Sequence, residues 1–125
     1  LCYKKGSASM DNTIFISICY LNGGIRLFKD TIRDLDMPSY VKIYIHREQN
    51  FLAIISDEKQ TLITHKTPKD IYDKRWKMII YSKKLCNIIY EKMQWDKRKL
   101  YRVPGKIIEK GAVARFELNK ANIII

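Results

Sequence analysis

The chain reads as a mainly β protein with two short helices, an α+β fold in one domain. Three observations predict it. Apolar and polar residues alternate over strand-length runs, as in Val41, Ile43 and Ile45 against Lys42, Tyr44 and His46, which is the period of a half-buried strand. Turn pairs such as Asn22-Gly23 and Pro104-Gly105 punctuate those runs. Helical spacing occurs in two short stretches only, residues 29–37 and 83–94. At 125 residues the chain is long enough to bury one core without metal or disulfide help, and its wealth of Ile and Tyr favours strands.

Residues 1–9 contain Gly6-Ser7-Ala8-Ser9 and precede Met10, so they read as a cloning remnant or disordered leader, with residues 10–125 as the domain. Residues 13–20 put Ile14, Ile16, Ile18 and Tyr20 on one face of a strand. Asn22-Gly23 supplies the positive-φ residues of a tight hairpin, with Gly24 adding freedom. A strand resumes at residues 25–28. Residues 29–37 are helical, with Ile32 and Leu35 on one face. Pro38 ends that helix, because it lacks a backbone donor and restricts the residue before it. Residues 41–46 and 51–56 pair as strands across a polar turn, and a weak strand follows through Leu62 and Ile63.

Residues 66–74 include Pro68 and connect the halves. A strand at residues 76–81 holds Trp76, Met78 and Ile80 on one side. Ser82 is a favourable N-cap for a helix reaching Gln94, with Leu85, Ile88, Ile89 and Met93 as its core face. Residues 99–103 form a strand that Pro104-Gly105 ends in a type II turn. Residues 106–108 and 113–118 complete the pairing, with Ala114, Phe116 and Leu118 inward. The apolar tail, residues 121–125, is suited to an edge strand or an interface. Residues 13–63 and 75–120 follow one plan of strand, helix and two strands, so a pair of pseudo-repeats stands beside the simpler reading of two unrelated β-α-β-β runs.

The stretch with Gly23, Ile25 and Leu27, the step Leu35-Asp36-Met37, and the pair Lys42-Ile43-Tyr44-Ile45 and Phe51-Leu52-Ala53-Ile54 resembles the AbrB/SpoVT/MraZ-type swapped-hairpin family of small bacterial DNA-binding domains. The likeness covers residues 21–56, about a third of the chain, with a diverged second copy at residues 76–118. It implies a swapped-hairpin-like β barrel in which one chain forms what such domains make by dimerising. The chain departs from the family at three places: Gly24 stands where the family has Arg, Phe28 where it has Pro, and Ile32 where it has the first of two helix arginines, leaving Arg33. Those arginines carry phosphate and base contacts in the family, so the resemblance bears more on fold than on function.

The net charge of +11 is unevenly placed. Residues 10–63 hold six Lys/Arg and seven Asp/Glu, a net of −1. Residues 64–125 hold sixteen against six, a net of +10, and Lys4 and Lys5 add +2. A polyanion such as DNA is the natural partner for the basic half; a Lys-rich solubilising surface is the plainer alternative. The candidate nucleic-acid-binding residues are Lys83, Lys84, Lys97, Arg98, Lys99 and Arg102. Lys83 and Lys84 oppose the dipole of their helix unless an anion arrives there. Lys97, Arg98, Lys99 and Arg102 enter a strand beside Tyr101, where they either contact phosphate or guard a strand edge against aggregation. Lys74, Arg75 and Lys77 form a further patch around Trp76, itself expected in the core.

Nothing in the chain reads as catalytic. His46 and His65 have no metal-ligand spacing with Cys19 or Cys86, and no phosphate-cradling glycine loop exists. Asp30, Asp34 and Asp36, with Arg33 among them, read as a solvated helix face. Three cysteines without paired spacing favour a reducing compartment. The longest apolar run, residues 14–21, is too short to span a membrane. The expectation is a cytoplasmic, non-catalytic bacterial DNA-binding or transcription-regulatory protein, with no cofactor, no metal and no membrane partner. The alternative is a protein-binding module, such as an antitoxin or a phage or mobile-element inhibitor, engaging a protein partner or a second copy as a homodimer.

Overall fold

A computed structural model describes residues 13–46, 48–71 and 77–124. The expectations for residues 1–9, for Lys74, Arg75 and Trp76, and for Ile125 lie outside the described residues. Among the described residues nine strands form one sheet: β1 (Ile14–Cys19), β2 (Gly24–Phe28), β3 (Tyr40–Ile45), β4 (Phe51–Asp57), β5 (His65–Lys66), β6 (Lys77–Tyr81), β7 (Leu100–Glu109), β8 (Val113–Glu117) and β9 (Asn122–Ile123). Helix α1 (Lys29–Asp34) follows β2, and α2 (Lys83–Met93) follows β6.

Every pairing is antiparallel, in the order β5-β3-β4-β8-β7-β1-β2-β6, with β9 added to β7. The sheet curls into a nearly closed barrel whose two ends are β5 and β6. Period-two alternation sends Ile14, Ile16 and Ile18 of β1, Ile25 and Leu27 of β2, and Ala114 and Phe116 of β8 into one core. Cys86, Ile89 and Tyr90 of α2 complete that core from the side. No helix among the described residues is long and apolar enough to cross a membrane.

The first hairpin turns as expected at Gly23, whose φ of +69° is open to glycine at little cost. Asn22 steadies the turn by accepting the Gly24 N–H at 2.8 Å. Ser82 caps α2, its Oγ accepting the Leu85 N–H at 3.2 Å. Ser82→Ala is therefore expected to cost about 1 kcal/mol. It should appear in urea unfolding as a lower midpoint at unchanged slope, and a loss too small to resolve would mean that the cap contributes nothing.

Four local expectations are corrected. Helix α1 ends at Asp34 and does not reach Met37. The Met37 N–H donates to the Ile32 carbonyl at 2.9 Å and the Asp36 N–H to the Arg33 carbonyl at 2.9 Å. This is a Schellman closure, with Asp36 in the left-handed region at φ +62°. The weak strand at Leu62 and Ile63 is a turn instead, because Thr61 and Thr64 hydrogen-bond to each other and the Thr61 hydroxyl accepts the Ile63 N–H. Leu62 is left fully exposed, and the pairing segment is β5, opposite Tyr40 and Val41.

The core face of α2 is rotated from its expected position, with Cys86, Ile89 and Tyr90 buried and Ile88 41% exposed. Finally, Pro104-Gly105 makes no turn. It lies inside the ten-residue β7, opposite Phe15 and Ile14 of β1. On the other edge of β7, β9 pairs with Tyr101 and Arg102, and β8 pairs from Gly105 onward. Pro104 falls in the gap between them, where its missing donor is tolerated. The tail does add an edge strand, β9.

Candidate nucleic-acid interface

Strands β7, β1, β2 and β6 share an outward face made of the residues that alternate with the core set. Pairing places Arg102 beside Ser17, Ser17 beside Arg26, and Arg26 beside Ile79 in one row across four strands. Strands in a sheet lie about 4.8 Å apart, so Arg26 and Arg102, two strands apart, stand about 10 Å from each other at the backbone. Phe15 lies in the adjoining row, opposite Pro104, and Phe28 lies opposite Lys77. The Arg102 guanidinium is 5.7 Å from the Phe15 ring centroid.

The two arginines differ from the rest in their charge balance. Arg33 meets Asp30 at 3.2 Å and Asp34 at 3.7 Å, Arg98 meets Asp96 at 3.2 Å, and Arg115 pairs with Glu117. Among the described residues, Arg26 and Arg102 have no acidic partner. Ser17 sits between them, only 4% exposed although it faces outward.

The six residues singled out from the sequence do not form one cluster. Lys83 and Lys84 are exposed at the start of α2. Lys83 packs on the first hairpin, where a Cβ on Gly23 would come within 2.6 Å of its Cγ. Lys97, Arg98 and Lys99 lie beyond the other end of the 11-residue α2, about 15 Å away at 1.5 Å per residue. There the Lys97 Nζ contacts Glu91 at 2.8 Å and rests 5.1 Å from the Tyr20 ring centroid. The hydrogen bond to Glu91 raises the Lys97 pKa, and the side-chain bond from Arg98 lowers that of Asp96. Three cations against Glu91 and Asp96 leave that loop with little net charge.

Tyr101, expected as the aromatic beside these cations, is 7% exposed and stacks on Trp95 at 4.1 Å. Arg102 alone of the six joins the outward row. Arg26 was not among the residues singled out, although its signal was present: it is the one charged position in the run Gly24–Phe28. Only the register of β2 on β1 and β1 on β7 brings it level with Arg102. The chain matches no protein-family model, and no curated protein or solved structure aligns with it significantly.

Proposed function

We propose that this is a non-catalytic nucleic-acid-binding protein of the cytoplasm, in the class of bacterial DNA-binding or transcription-regulatory proteins. The carrying observation is the pair Arg26 and Arg102, without an acidic partner among the described residues, on one outward sheet face of a chain with net charge +11. A polyanion laid there gains both charges and releases its own condensed counterions. Lys77 on the same face and Lys83 at its rim extend the positive strip.

The reading includes a two-copy, swapped-hairpin architecture like that of the AbrB-type family. Exchange of the two halves turns β2 into β6, β3–β4 into β7–β8, and the pairing of β1 on β7 into that of β5 on β3. The contacts β2–β6 and β4–β8 then map onto themselves. The exchange is partial, since β1 pairs with β2 while β5 and β6 stand at opposite ends of the sheet; the strand pairs that it preserves support the two-copy reading over two unrelated runs.

The test is a salt titration of binding to a short duplex and to a single strand of the same length. Log affinity is expected to fall linearly with log salt, and Arg26→Glu/Arg102→Glu is expected to weaken binding by about tenfold or more. Lys97→Glu/Arg98→Glu should change it less, since Glu91 and Asp96 already hold those cations. Failure to bind either nucleic acid at low salt would overturn the reading. The protein-binding alternative draws on β9, where Ile123 is 56% exposed beside β7, and it gains if nucleic acid is not bound.

A further inference from the structure

We infer that the outward face of β7, β1 and β2 is a site for single-stranded nucleic acid, with a phosphate held between Arg26 and Arg102 and an adjoining base in the cleft beside Phe15 and Phe28. The inference rests on the nucleic-acid reading above and narrows it to one substrate class and one face.

Three features converge on a phosphate in the arginine row. Two guanidiniums without an acidic partner among the described residues flank a position about 10 Å wide, and both side chains are long enough to close on one anion from either side. Between them lies Ser17, 4% exposed as a residue, whose hydroxyl can donate to a phosphoryl oxygen. A dimple of about 20 Å³ lined by Ser17, Arg26, Asn22 and Gly24, together with Cys19, Ile79 and Leu100, adjoins it, room for about one oxygen-sized atom.

The second half of the site is the cleft next to Arg102. It has a volume of about 320 Å³ and is lined by Phe15, Phe28, Asp30, Thr31 and Arg102. Two aromatic side chains offer flat faces on which a base can stack. The Asp30 carboxylate closes one side and is held by Arg33 at 3.2 Å, so it leaves Arg102 free for the backbone. A base can enter this cleft only if it is unpaired and unstacked, which duplex bases are not. Reading a duplex would instead require an element that fits a groove, and the arginine row lies across a broad four-strand surface.

Fluorescence anisotropy with labelled oligo(dT), with unlabelled duplex as competitor, tests this on the full chain. The expected result is tighter binding of oligo(dT) than of duplex, with a labelled oligo(U) arm telling DNA from RNA. Arg26→Gln and Arg102→Gln should each lower the salt slope by about 0.7, one phosphate contact on a single strand. Phe15→Ala should weaken oligo(dT) binding by about tenfold, and Ser17→Val should weaken it without altering the slope. Thermal melting verifies that each variant folds, and Phe15→Leu, which keeps apolar bulk without a π face, replaces Phe15→Ala if that variant does not fold. If the chain binds nucleic acid but prefers duplex, or is indifferent to Phe15 and Arg26, the inference is wrong and the broader reading stands. If it binds no nucleic acid, both fall.

Discussion

Phe116→Ala is expected to destabilise the fold by about 3–5 kcal/mol, the usual loss for an aromatic deleted from a core. Phe116 is fully buried on β8, between Leu52 of β4 and Gly105 of β7. It therefore joins the two hairpins at the centre of the sheet. Its ring lies directly over Gly105, and a Cβ at that position would overlap the ring and the Arg115 carbonyl oxygen. Gly105→Ala is accordingly expected to cost about 1–3 kcal/mol by overpacking.

The pair makes a sharper claim than either variant alone. In Gly105→Ala/Phe116→Leu the smaller side chain makes room for the new methyl group, so the double variant should lose less than the two single costs combined. Residues in contact couple in this way, whereas distant ones simply add. Urea unfolding of the four proteins measures the coupling, and strict additivity would show that the ring does not restrict position 105.

Tyr90→Ala should have a comparable effect, about 3–5 kcal/mol, with Tyr90→Phe accounting for about 1 kcal/mol of it. Tyr90 is 1% exposed and meets Trp95 and Tyr101 edge-on at 5.2 Å and 5.6 Å. Its hydroxyl is 2.9 Å from the Ile18 carbonyl oxygen and 2.8 Å from that of Lys99. One proton serves two acceptors, so the phenol links β1 and the start of β7 to α2. Loss of the ring removes the packing, while loss of the oxygen removes only the link.

The same residue sets a pH limit. Burial raises the Tyr90 phenol above its ordinary 10.0, and burial pushes the Cys86 thiol from 9.0 up to about 11. In both cases the unfolded chain releases the proton at a lower pH than the folded one. Stability is then intact below pH 9 and declines from pH 9 to 11 as Cys86 titrates, with Tyr90 adding to the decline above pH 10. Tyr90→Phe should flatten the part above pH 10, and Cys86→Ala the part below it. Thermal melts between pH 7 and 11 in steps would show this, and a wild-type melting temperature constant over that range would refute it.

Much of the local structure was readable because it depends on near neighbours. The alternation of Ile14, Ile16 and Ile18 marked β1, and Ser82 marked the start of α2. The stop of α1 was placed too late because Asp36 accepts a left-handed conformation that its type disfavours only mildly. The helix face of α2 was displaced because Ile88 and Cys86 are both apolar, and only the barrel decides which one turns inward.

The candidate site was partly hidden for the same reason. Arg102 stood out as a cation in a strand, but its partner at position 26 is far away in the chain. Lys97 and Arg98 belong to the densest run of positive charge in the chain, yet Glu91 and Asp96 meet them. The charge of a segment can be counted from its residues. Whether that charge is already answered depends on geometry.

The sequence by itself determined a mainly β chain with two short helices, its alternating core positions, the cap at Ser82 and its surplus of positive charge. These follow from backbone sterics and side-chain period, which act over a few residues. Only the tertiary structure decided that Pro104-Gly105 continues a strand, because Phe116 from β8 and Phe15 from β1 lie against it. It also decided that Arg26, Ser17 and Arg102 stand in one row. Strand register is a long-range pairing set by the whole barrel, and no local rule in the chain carries it.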